Sequence, residues 1–226
     1  MIGIVCGLKS EARTLAHLPA DRFRVCVSGA NAKRAHEQAK GLARDGARML
    51  LSFGLAGGLI PDLRPGDLLL NGSVHLPNGG EIHADAALLE ALSKVLQPVR
   101  LAAAAGADQA VLTPIGKARL ASGGGECVDM ETHGLALAAQ EARLPWAAVR
   151  AIADDSRTAL PKWAMGLMRP DGSVDDVKAA LALLRAPWDL PLALRLASAN
   201  AKALAALRRA ADGLLRMAEL LPAPQA

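Results

Sequence analysis

The chain has 226 residues, of which 52% are hydrophobic, so it can bury one sizeable core but is short for two. Its net charge of +4 comes from 26 basic and 22 acidic residues scattered along the sequence, and only 2% of the residues are aromatic. Nucleic-acid-binding proteins concentrate basic side chains on one face and often add stacking rings, so this composition argues against a nucleic-acid partner. No apolar run reaches the roughly 18 residues of a membrane span.

The first six residues are apolar and lack the basic region and cleavage site of a secretory signal. They predict a first strand, and we expect a cytoplasmic protein. The three cysteines, Cys6, Cys26 and Cys127, have neither paired nor Cys-x-x-Cys spacing. We therefore expect reduced thiols, with no disulfide framework and no metal site.

Short β-branched apolar runs alternate with Ala- and Leu-rich amphipathic stretches, which is typical of an α/β fold with a largely parallel sheet. The predicted strands cover residues 2–6, 24–28, 48–53, 67–75, 99–104, 127–130 and 146–153. The predicted helices cover residues 10–18, 32–44, 86–96, 114–121 and 131–142. A long C-terminal helix at about 196–220 is indicated by an apolar stripe of Leu204, Leu207, Ala211, Leu214 and Leu221.

Two connections differ in length. Residues 76–80 are compact and rich in Pro, Asn and Gly, which predicts a turn. Residues 156–194 are long and cannot easily be placed on the sheet; their large apolar residues include Trp163, Met165, Leu167, Met168 and Trp188. We predict a single domain over residues 1–226, with an extension at about 156–194.

Polar residues and glycines follow four of the predicted strands, within residues 7–11, 28–33, 53–58 and 150–155. In open parallel sheets ligands bind beyond the carboxyl ends of the strands, so these segments are the first candidates for a site. Each also has an ordinary explanation: Glu11 suits the first turn of a helix, and Asp154 suits a helix cap. Arg150 is harder to explain in this way, because an arginine within an apolar strand needs a partner.

Taken together, these segments resemble the nucleoside phosphorylase and nucleosidase superfamily. Residues 128–131 (VDME) and 149–154 (VRAIAD) resemble its signature, and residues 53–59 (FGLAGGL) resemble its Gly-rich loop. Residues 2–11 resemble the start of the methylthioadenosine/S-adenosylhomocysteine nucleosidases. The resemblance implies a three-layer α/β/α fold with a mixed, largely parallel central sheet, and a homo-oligomer. It also implies an enzyme that needs no cofactor, cleaves the N-glycosidic bond of a purine ribonucleoside and releases adenine.

The resemblance implies catalytic roles for Asp154, Glu11 and Arg150. Asp154 would protonate the departing base near N7, which requires a pKa well above the usual 3.9 of an aspartate. Glu11 and Arg150 would orient the attacking water.

The resemblance also implies two sets of binding contacts. The ribose-binding residues would be Met130, Glu131, Ala56 and Gly57. Near the base, the expected contacts are Val111 and Asp129.

Three departures from the family pattern affect the expected nucleophile site, which comprises Gly29, Lys33 and Leu55. Leu55 replaces a serine of the Gly-rich loop, Ala153 replaces the usual serine before Asp154, and residues 28–32 lack a second glycine. Water and inorganic phosphate both stay open as nucleophiles. Glu11 favours water, because a carboxylate repels phosphate, whereas Arg150 with Lys33 or Arg34 favours the anion.

Two segments of the sequence bear on which 5′ substituent the nucleoside carries. The compact 76–80 connection predicts a pocket that is open on that side. Residues 160–174 and 187–188 resemble the tail of the hopanoid-biosynthesis-associated phosphorylases, which implies adenosylhopane, a lipid-linked nucleoside, as the substrate. Residues 156–194 would then supply an apolar groove or a peripheral contact with the inner membrane face.

Three alternatives stay open. The enzyme could be a methylthioadenosine/S-adenosylhomocysteine nucleosidase. The chain could be a non-catalytic lipid-nucleoside binding protein, as Leu55 and Ala153 suggest. Residues 156–194 could simply pack as a two-helix extension over the sheet, since apolar stripes usually belong to a core.

Overall fold

A computed structural model gives the structure of residues 1–167 and 169–220, which contain eight strands and eight α-helices. The strands are β1 (Ile2–Cys6), β2 (Phe23–Val27), β3 (Met49–Gly58), β4 (Leu68–His75), β5 (Glu81–His83), β6 (Arg100–Gly106), β7 (Cys127–Asp129) and β8 (Trp146–Asp154). The helices are α1 (Lys9–Thr14), α2 (Ala32–Arg44), α3 (Ala86–Val95), α4 (Pro114–Ser122), α5 (Thr132–Ala142), α6 (Lys162–Met165), α7 (Asp176–Arg185) and α8 (Leu190–Leu220), with a 3₁₀ turn at Pro187–Asp189. Met168 and Leu221, predicted in the extension and on the C-terminal stripe, lie outside the described residues.

The eight strands form one mixed sheet in the order β2-β1-β3-β7-β6-β4-β5, with β8 paired to both β3 and β4. Five of the pairings are parallel, and the pairs β3–β7, β4–β5 and β4–β8 are antiparallel. The predicted mixed, largely parallel sheet is therefore confirmed. Because β3, β8, β4, β6 and β7 pair in a closed cycle, the sheet curls into a ring at its centre, and the assumption of an open sheet is corrected.

Helices cover both faces of the sheet, which confirms the three-layer architecture. Along β3 the buried residues alternate between the two faces, as a pleated strand requires. Leu51 and Phe53 pack with α3 and α8, whereas Leu50 packs with α2 and α5. In α2, Ala35, Ala39 and Leu42 recur at helical spacing and form its buried face.

The Gly-rich segment 54–58 is part of β3, although the sequence predicted a loop there. The strand continues to Gly58 because β8 pairs with it in parallel as far as Gly57 and β7 pairs with it from the other side. These glycines thus place backbone at the site without leaving the sheet.

Residues 76–80 form a tight turn between β4 and the short strand β5, so the predicted turn is confirmed and the short strand was missed. Gly79 and Gly80 both have φ of +93°, a region that favours glycine. Three residues of β5 are too few for a periodic pattern to show in the sequence.

The extension at 156–194 contains α6, α7, the 3₁₀ turn and the first residues of α8. Helix α8 begins at Leu190, earlier than the predicted 196, because Pro191 is tolerated in a first helical turn. The turn at 169–174 contacts the body of the fold: Lys9 N donates to Gly172 O at 2.9 Å, and Arg34 Nη1 donates to Pro170 O at 2.6 Å.

Several large apolar side chains of α7, the 3₁₀ turn and the start of α8 are exposed to solvent. Leu184 is 77% exposed, Trp188 75% and Leu194 63%. None of the helices in the described ranges is both long and apolar enough to cross a membrane. The three cysteines are unpaired, with Cys6 and Cys127 buried and Cys26 half-buried.

Candidate active site

A cavity of about 200 Å³ opens where β1, β3, β7 and β8 end. Nine of the predicted site residues lie in its wall: Glu11, Leu55, Ala56, Gly57, Val111, Asp129, Met130, Glu131 and Asp154. Residues that are distant in the sequence are therefore brought together by the strand ends. A larger cavity of about 290 Å³, at the starts of β4 and β6, has Asp67 as the one acidic residue among its described lining residues. The carboxylates converge in the first cavity, which we take as the candidate site.

Glu11 is buried in the first turn of α1 and is held by three backbone amides. Its Oε2 accepts from Gly7 N at 2.7 Å and Leu8 N at 2.8 Å, and its Oε1 accepts from Leu55 N at 2.8 Å. Burial raises the pKa of Glu11, while the amides and Arg150 oppose that shift. Oε2 thus accepts two hydrogen bonds and Oε1 accepts one, so Oε1 keeps a further lone pair with which the fixed carboxylate can orient a polar ligand such as water.

Gly7 and Gly54 lie against the site carboxylates and leave no room for a side chain. A Cβ on Gly7 would stand 2.5 Å from Glu131 Oε1, and a Cβ on Gly54 would stand 2.7 Å from Glu11 Cδ. Neither glycine has a positive φ. Both are therefore required by the space that a carboxylate occupies, and not by their backbone conformation.

We expect Gly7→Ala to lower kcat/KM by about 100-fold, because a shift of about 1 Å at a positioned group has an effect of this order. Steady-state kinetics on a cleaved nucleoside would measure the loss. Gly41→Ala is the matched control, since a Cβ on this helical glycine meets nothing within 4 Å. Equal activity in the two variants would contradict the steric role of Gly7.

Arg150 lies beneath the cavity floor, fully buried, and is paired with two carboxylates. Its Nε lies 3.1 Å from Asp129 Oδ2, and its Nη2 lies 3.5 Å from Glu131 Oε2. Nη2 also donates to Thr132 Oγ1 at 2.9 Å and to Ser52 Oγ at 2.5 Å. Arg150 is not among the described lining residues of the cavity, but it pairs with Asp129 and Glu131, which are. Its role in orienting the water stays a prediction.

Asp129 uses its carboxylate within the protein. Oδ1 accepts from the backbone amides of Glu131 at 2.8 Å and Thr132 at 2.7 Å, and Oδ2 accepts from the Thr132 hydroxyl at 2.7 Å. Arg150 and these bonds keep the pKa of Asp129 low in spite of burial. Asp129 also lies in the cavity wall, so its contact with the base stays a prediction, while its side chain binds the first amides of α5 and pairs with Arg150.

Glu131 is a buried carboxylate whose pKa is strongly raised. Burial raises its pKa to about 8; Asp129 and Glu11 add to the rise, and Arg150 opposes it. The single guanidinium of Arg150 cannot neutralise the three carboxylates of Asp129, Glu131 and Glu11. Glu131 therefore retains a proton near neutral pH. Glu131 is therefore suited to exchange hydrogen bonds with sugar hydroxyls.

We expect the free energy of unfolding to fall as the pH rises from about 5 to about 8. The folded protein then keeps a proton that the unfolded chain has released, so raising the pH favours unfolding by up to about 1.4 kcal/mol per pH unit for one group. The raised pKa values of Glu11 and Asp154 act in the same direction. Urea unfolding at several pH values should show the fall, and Glu131→Gln should reduce its slope. A slope that is unchanged in this variant would contradict the assignment.

Asp154 ends β8 at the edge of the cavity, with its carboxylate bonded to Lys117. Burial raises its pKa, Lys117 opposes the rise, and Asp155 adds to it. A half-buried aspartic acid with a raised pKa is suited to donate a proton. Lys117 was missed by the sequence reasoning, because a lysine within the helical pattern of α4 has no local feature that separates it from a surface lysine.

The cavity wall between these carboxylates is apolar. Met130, Val111 and Ala56 face it, and a Cβ added to Gly57 would stand 3.3 Å from Val128 Cγ1. The chain thus brings together the residues that the sequence predicted beside the sugar and the base.

The three residues of the predicted nucleophile site, Gly29, Lys33 and Leu55, do not line the same cavity. Leu55 lies in the cavity wall and supplies an amide to Glu11, while Gly29 lines an adjoining cavity of about 260 Å³. Lys33 is exposed on α2 and lies in the wall of neither cavity, which corrects its predicted place. Arg34 uses its terminal nitrogens to donate to Pro170 O and Gly29 O.

Among residues 1–167 and 169–220 no group of three His, Cys, Asp or Glu side chains is arranged to hold a metal ion.

Solved structures show the same fold at low sequence identity. The 5′-methylthioadenosine/S-adenosylhomocysteine nucleosidase from Helicobacter pylori is 16% identical with a TM-score of 0.71, covering 97% of this chain and 98% of that chain. Futalosine hydrolase of the same organism is 16% identical with a TM-score of 0.72, covering 97% of this chain and 99% of that one. The corresponding nucleosidase from S. pneumoniae, with a transition-state inhibitor, is 16% identical with a TM-score of 0.71, covering 98% and 99%.

The sequence itself identifies the family. No curated protein gives a match to the chain. Residues 17–167, well over half of the sequence, match the Phosphorylase superfamily. The chain therefore belongs to the phosphorylase superfamily and is an enzyme of its nucleosidase or phosphorylase type, which cleaves the glycosidic bond of a nucleoside.

Proposed function

We propose that this enzyme releases adenine from an adenine nucleoside and that water is the nucleophile. The observation that carries the proposal is the placement of three separate carboxylates, Glu11, Glu131 and Asp154, around one nucleoside-sized cavity. Cleavage leaves negative charge on the base and positive charge on the ribose. Asp154 donates a proton to the base, Glu131 binds the ribose hydroxyls, and Glu11 orients the water.

Hydrolysis is favoured over phosphorolysis by the charges around the cavity. None of the described residues that line this cavity is a lysine or an arginine, and the two arginines of the adjoining cavity are Arg34 and Arg169. Arg150 is neutralised beneath the floor, and Arg34 is bonded to backbone carbonyls. Glu11 would repel an incoming phosphate. Water therefore suits this cavity better than an anion.

We further propose that the 5′ substituent is a lipid and that the substrate is adenosylhopane. The cavity continues into the adjoining one, since Ala30, Gln109, Ala110 and Met130 lie in the walls of both. The compact turn at 76–80 adds little bulk to the fold, in keeping with a pocket open to a large substituent. The smaller methylthioadenosine and S-adenosylhomocysteine are the second candidates, favoured by the fold shared with the H. pylori and S. pneumoniae nucleosidases.

The deciding experiment measures adenine release from adenosylhopane, methylthioadenosine and S-adenosylhomocysteine, each with and without phosphate. We expect the highest kcat/KM with adenosylhopane and free ribosyl product in both conditions. A strong preference for the small nucleosides would overturn the lipid substrate. A phosphorylated sugar formed only with phosphate would overturn hydrolysis. Binding without any base release would leave the chain a nucleoside-binding protein.

We also propose that the exposed apolar residues of α7, the 3₁₀ turn and the start of α8 rest on an anionic lipid surface. Leu184, Trp188 and Leu194 are exposed there. The exposed cations Lys178, Arg185 and Arg195 flank them and suit anionic head groups. A lipid-linked substrate would be reached at such a surface.

Sedimentation with vesicles tests this contact. We expect the protein to bind vesicles that contain phosphatidylglycerol, and the double variant Leu184→Ser, Trp188→Ser to lose binding while cleaving soluble nucleosides normally. Leu101→Ser is the matched control, because Leu101 is 60% exposed on β6. A double variant that still binds, or a control that fails to bind, would refute the proposed surface. Self-association stays a prediction, which sedimentation equilibrium without lipid would test.

A further inference from the structure

Lys117 is the most deeply buried cation of the site apart from Arg150, with only 1% of its side chain exposed. It extends from α4, and its ammonium group donates to Asp154 Oδ2, to Asp155 O at 2.5 Å and to Thr158 O at 3.2 Å. An ammonium group has three donors, and here each has an acceptor. A lysine so placed loses its hydration, which is costly unless the carboxylate compensates.

The contacts of Lys117 fix one side of Asp154. Among the described residues, the hydrogen bonds of the Asp154 side chain all go to Lys117 through Oδ2. Oδ1 is therefore the oxygen left for a ligand in the cavity, whose wall includes Asp154. A carboxyl group held at one oxygen presents the other in a defined direction.

Lys117 also connects the acid with the segment expected to contact the base. Helix α4 begins three residues after Val111, a wall residue of the cavity. The segment after β8 is bonded to the same region, because Leu160 N donates to Leu112 O at 2.8 Å. Lys117 donates to two carbonyls of that segment, those of Asp155 and Thr158. It thus joins the segment after β8 to helix α4, which follows the wall residue Val111.

We propose that Lys117 is a positioning residue for Asp154: it orients the carboxyl group toward the leaving base and stabilises the carboxylate that remains after proton transfer. The inference rests on the proposed release of adenine. The proton passes from Asp154 to the base nitrogen, and the glycosidic bond breaks with its electron pair going to the base. Water adds to the anomeric carbon, and the proton that the water loses restores the acid.

The charged groups that act on Asp154 are Lys117 from α4 and Asp155 from the segment after β8. Replacing Lys117 by an uncharged residue leaves Asp154 buried beside the like charge of Asp155. The carboxyl group would then hold its proton more tightly and become a weaker acid. Its rate of donation to the base should fall.

The test compares Lys117→Met with the wild type on two substrates that differ in the need for an acid. Adenine must be protonated as it leaves, whereas 4-nitrophenolate from 4-nitrophenyl riboside leaves without a proton. We expect kcat for adenine release to fall on the order of 10- to 100-fold, below the roughly 100- to 10,000-fold of a full general acid. Turnover of the nitrophenyl riboside should stay within about 3-fold of the wild type, because its transition state makes no use of the acid.

Lys94→Met is the matched control, because Lys94 is exposed on α3 and pairs only with Glu90 among the described residues. If Lys117→Met does not fold, Lys117→Gln takes its place, since an amide still donates to the carbonyls without supplying charge. An equal loss of kcat on both substrates would show that Lys117 only stabilises the fold, and it would overturn the proposal.

A second measurement does not depend on turnover. The ¹³C resonance of the Asp154 carboxyl group, identified by its loss in Asp154→Asn, should titrate at a higher pH in Lys117→Met by about one unit or more. An unchanged titration would overturn the role of Lys117. A wild-type protein that releases no adenine, together with a shifted titration, would overturn the proposed function alone.

Discussion

Asp154→Asn should lower the rate of adenine release by roughly 100- to 10,000-fold, the contribution of a general acid. The amide cannot donate a proton to the base, but its oxygen still accepts the hydrogen bond from Lys117. The fold should therefore persist, and the loss should appear in kcat more than in KM. Measurement of adenine formation under single-turnover conditions would give the chemical step directly.

Asp155→Asn is the control for that substitution. Asp155 is adjacent in the chain, and its side chain accepts from the Thr158 hydroxyl at 2.7 Å without lining the cavity. We expect near wild-type turnover in this variant, because the charge of Asp155 affects Asp154 less than burial and Lys117 do. Undiminished turnover in Asp154→Asn would refute the assignment of the acid, provided that thermal unfolding shows both variants to be folded.

Arg150→Met should destabilise the protein by about 3–5 kcal/mol, because it leaves buried carboxylates without their cation. Asp129 and Glu131 both face this guanidinium, and Glu11 is under its influence. The loss should be larger at pH 9 than at pH 6, since at the lower pH Glu131 already holds its proton. Urea unfolding at the two pH values would measure both effects.

Arg24→Met provides the comparison for Arg150→Met. Arg24 pairs with Asp45 at 2.8 Å, but both side chains are more than half exposed. Such a surface pair contributes about 0–1 kcal/mol, and the loss should be small at either pH. A similarly small loss in Arg150→Met would mean that the three carboxylates are protonated and need no cation.

The fold was predictable where local pattern and tertiary environment agree. The bounds of β1 and α2 match the prediction residue for residue. The apolar run of β1 ends at Gly7, and the N-cap Asn31 marks the start of α2. The continuation of β3 beyond Phe53 was not predictable, since it depends on β7 and β8 pairing on its two sides. The ring closed by β8 likewise depends on contacts with no local signal.

The sequence predicted which residues line the site better than it predicted how they are arranged. The motifs around Met130 and Asp154 gave the residues that face the cavity. Lys117 could not be found in this way, because its partner lies 37 positions away in the sequence. Arg150 was singled out correctly as needing a partner, but only the structure places it beneath the floor.

The close approach of Gly7 to Glu131 also has a genetic consequence. Since the alanine methyl group is excluded by a carboxylate oxygen 2.5 Å away, shortening that side chain should make room for it. In a library that varies both positions, Gly7→Ala should be tolerated better together with Glu131→Asp than alone. Such epistasis would make positions 7 and 131 evolve as a pair, although they lie 124 positions apart in the chain.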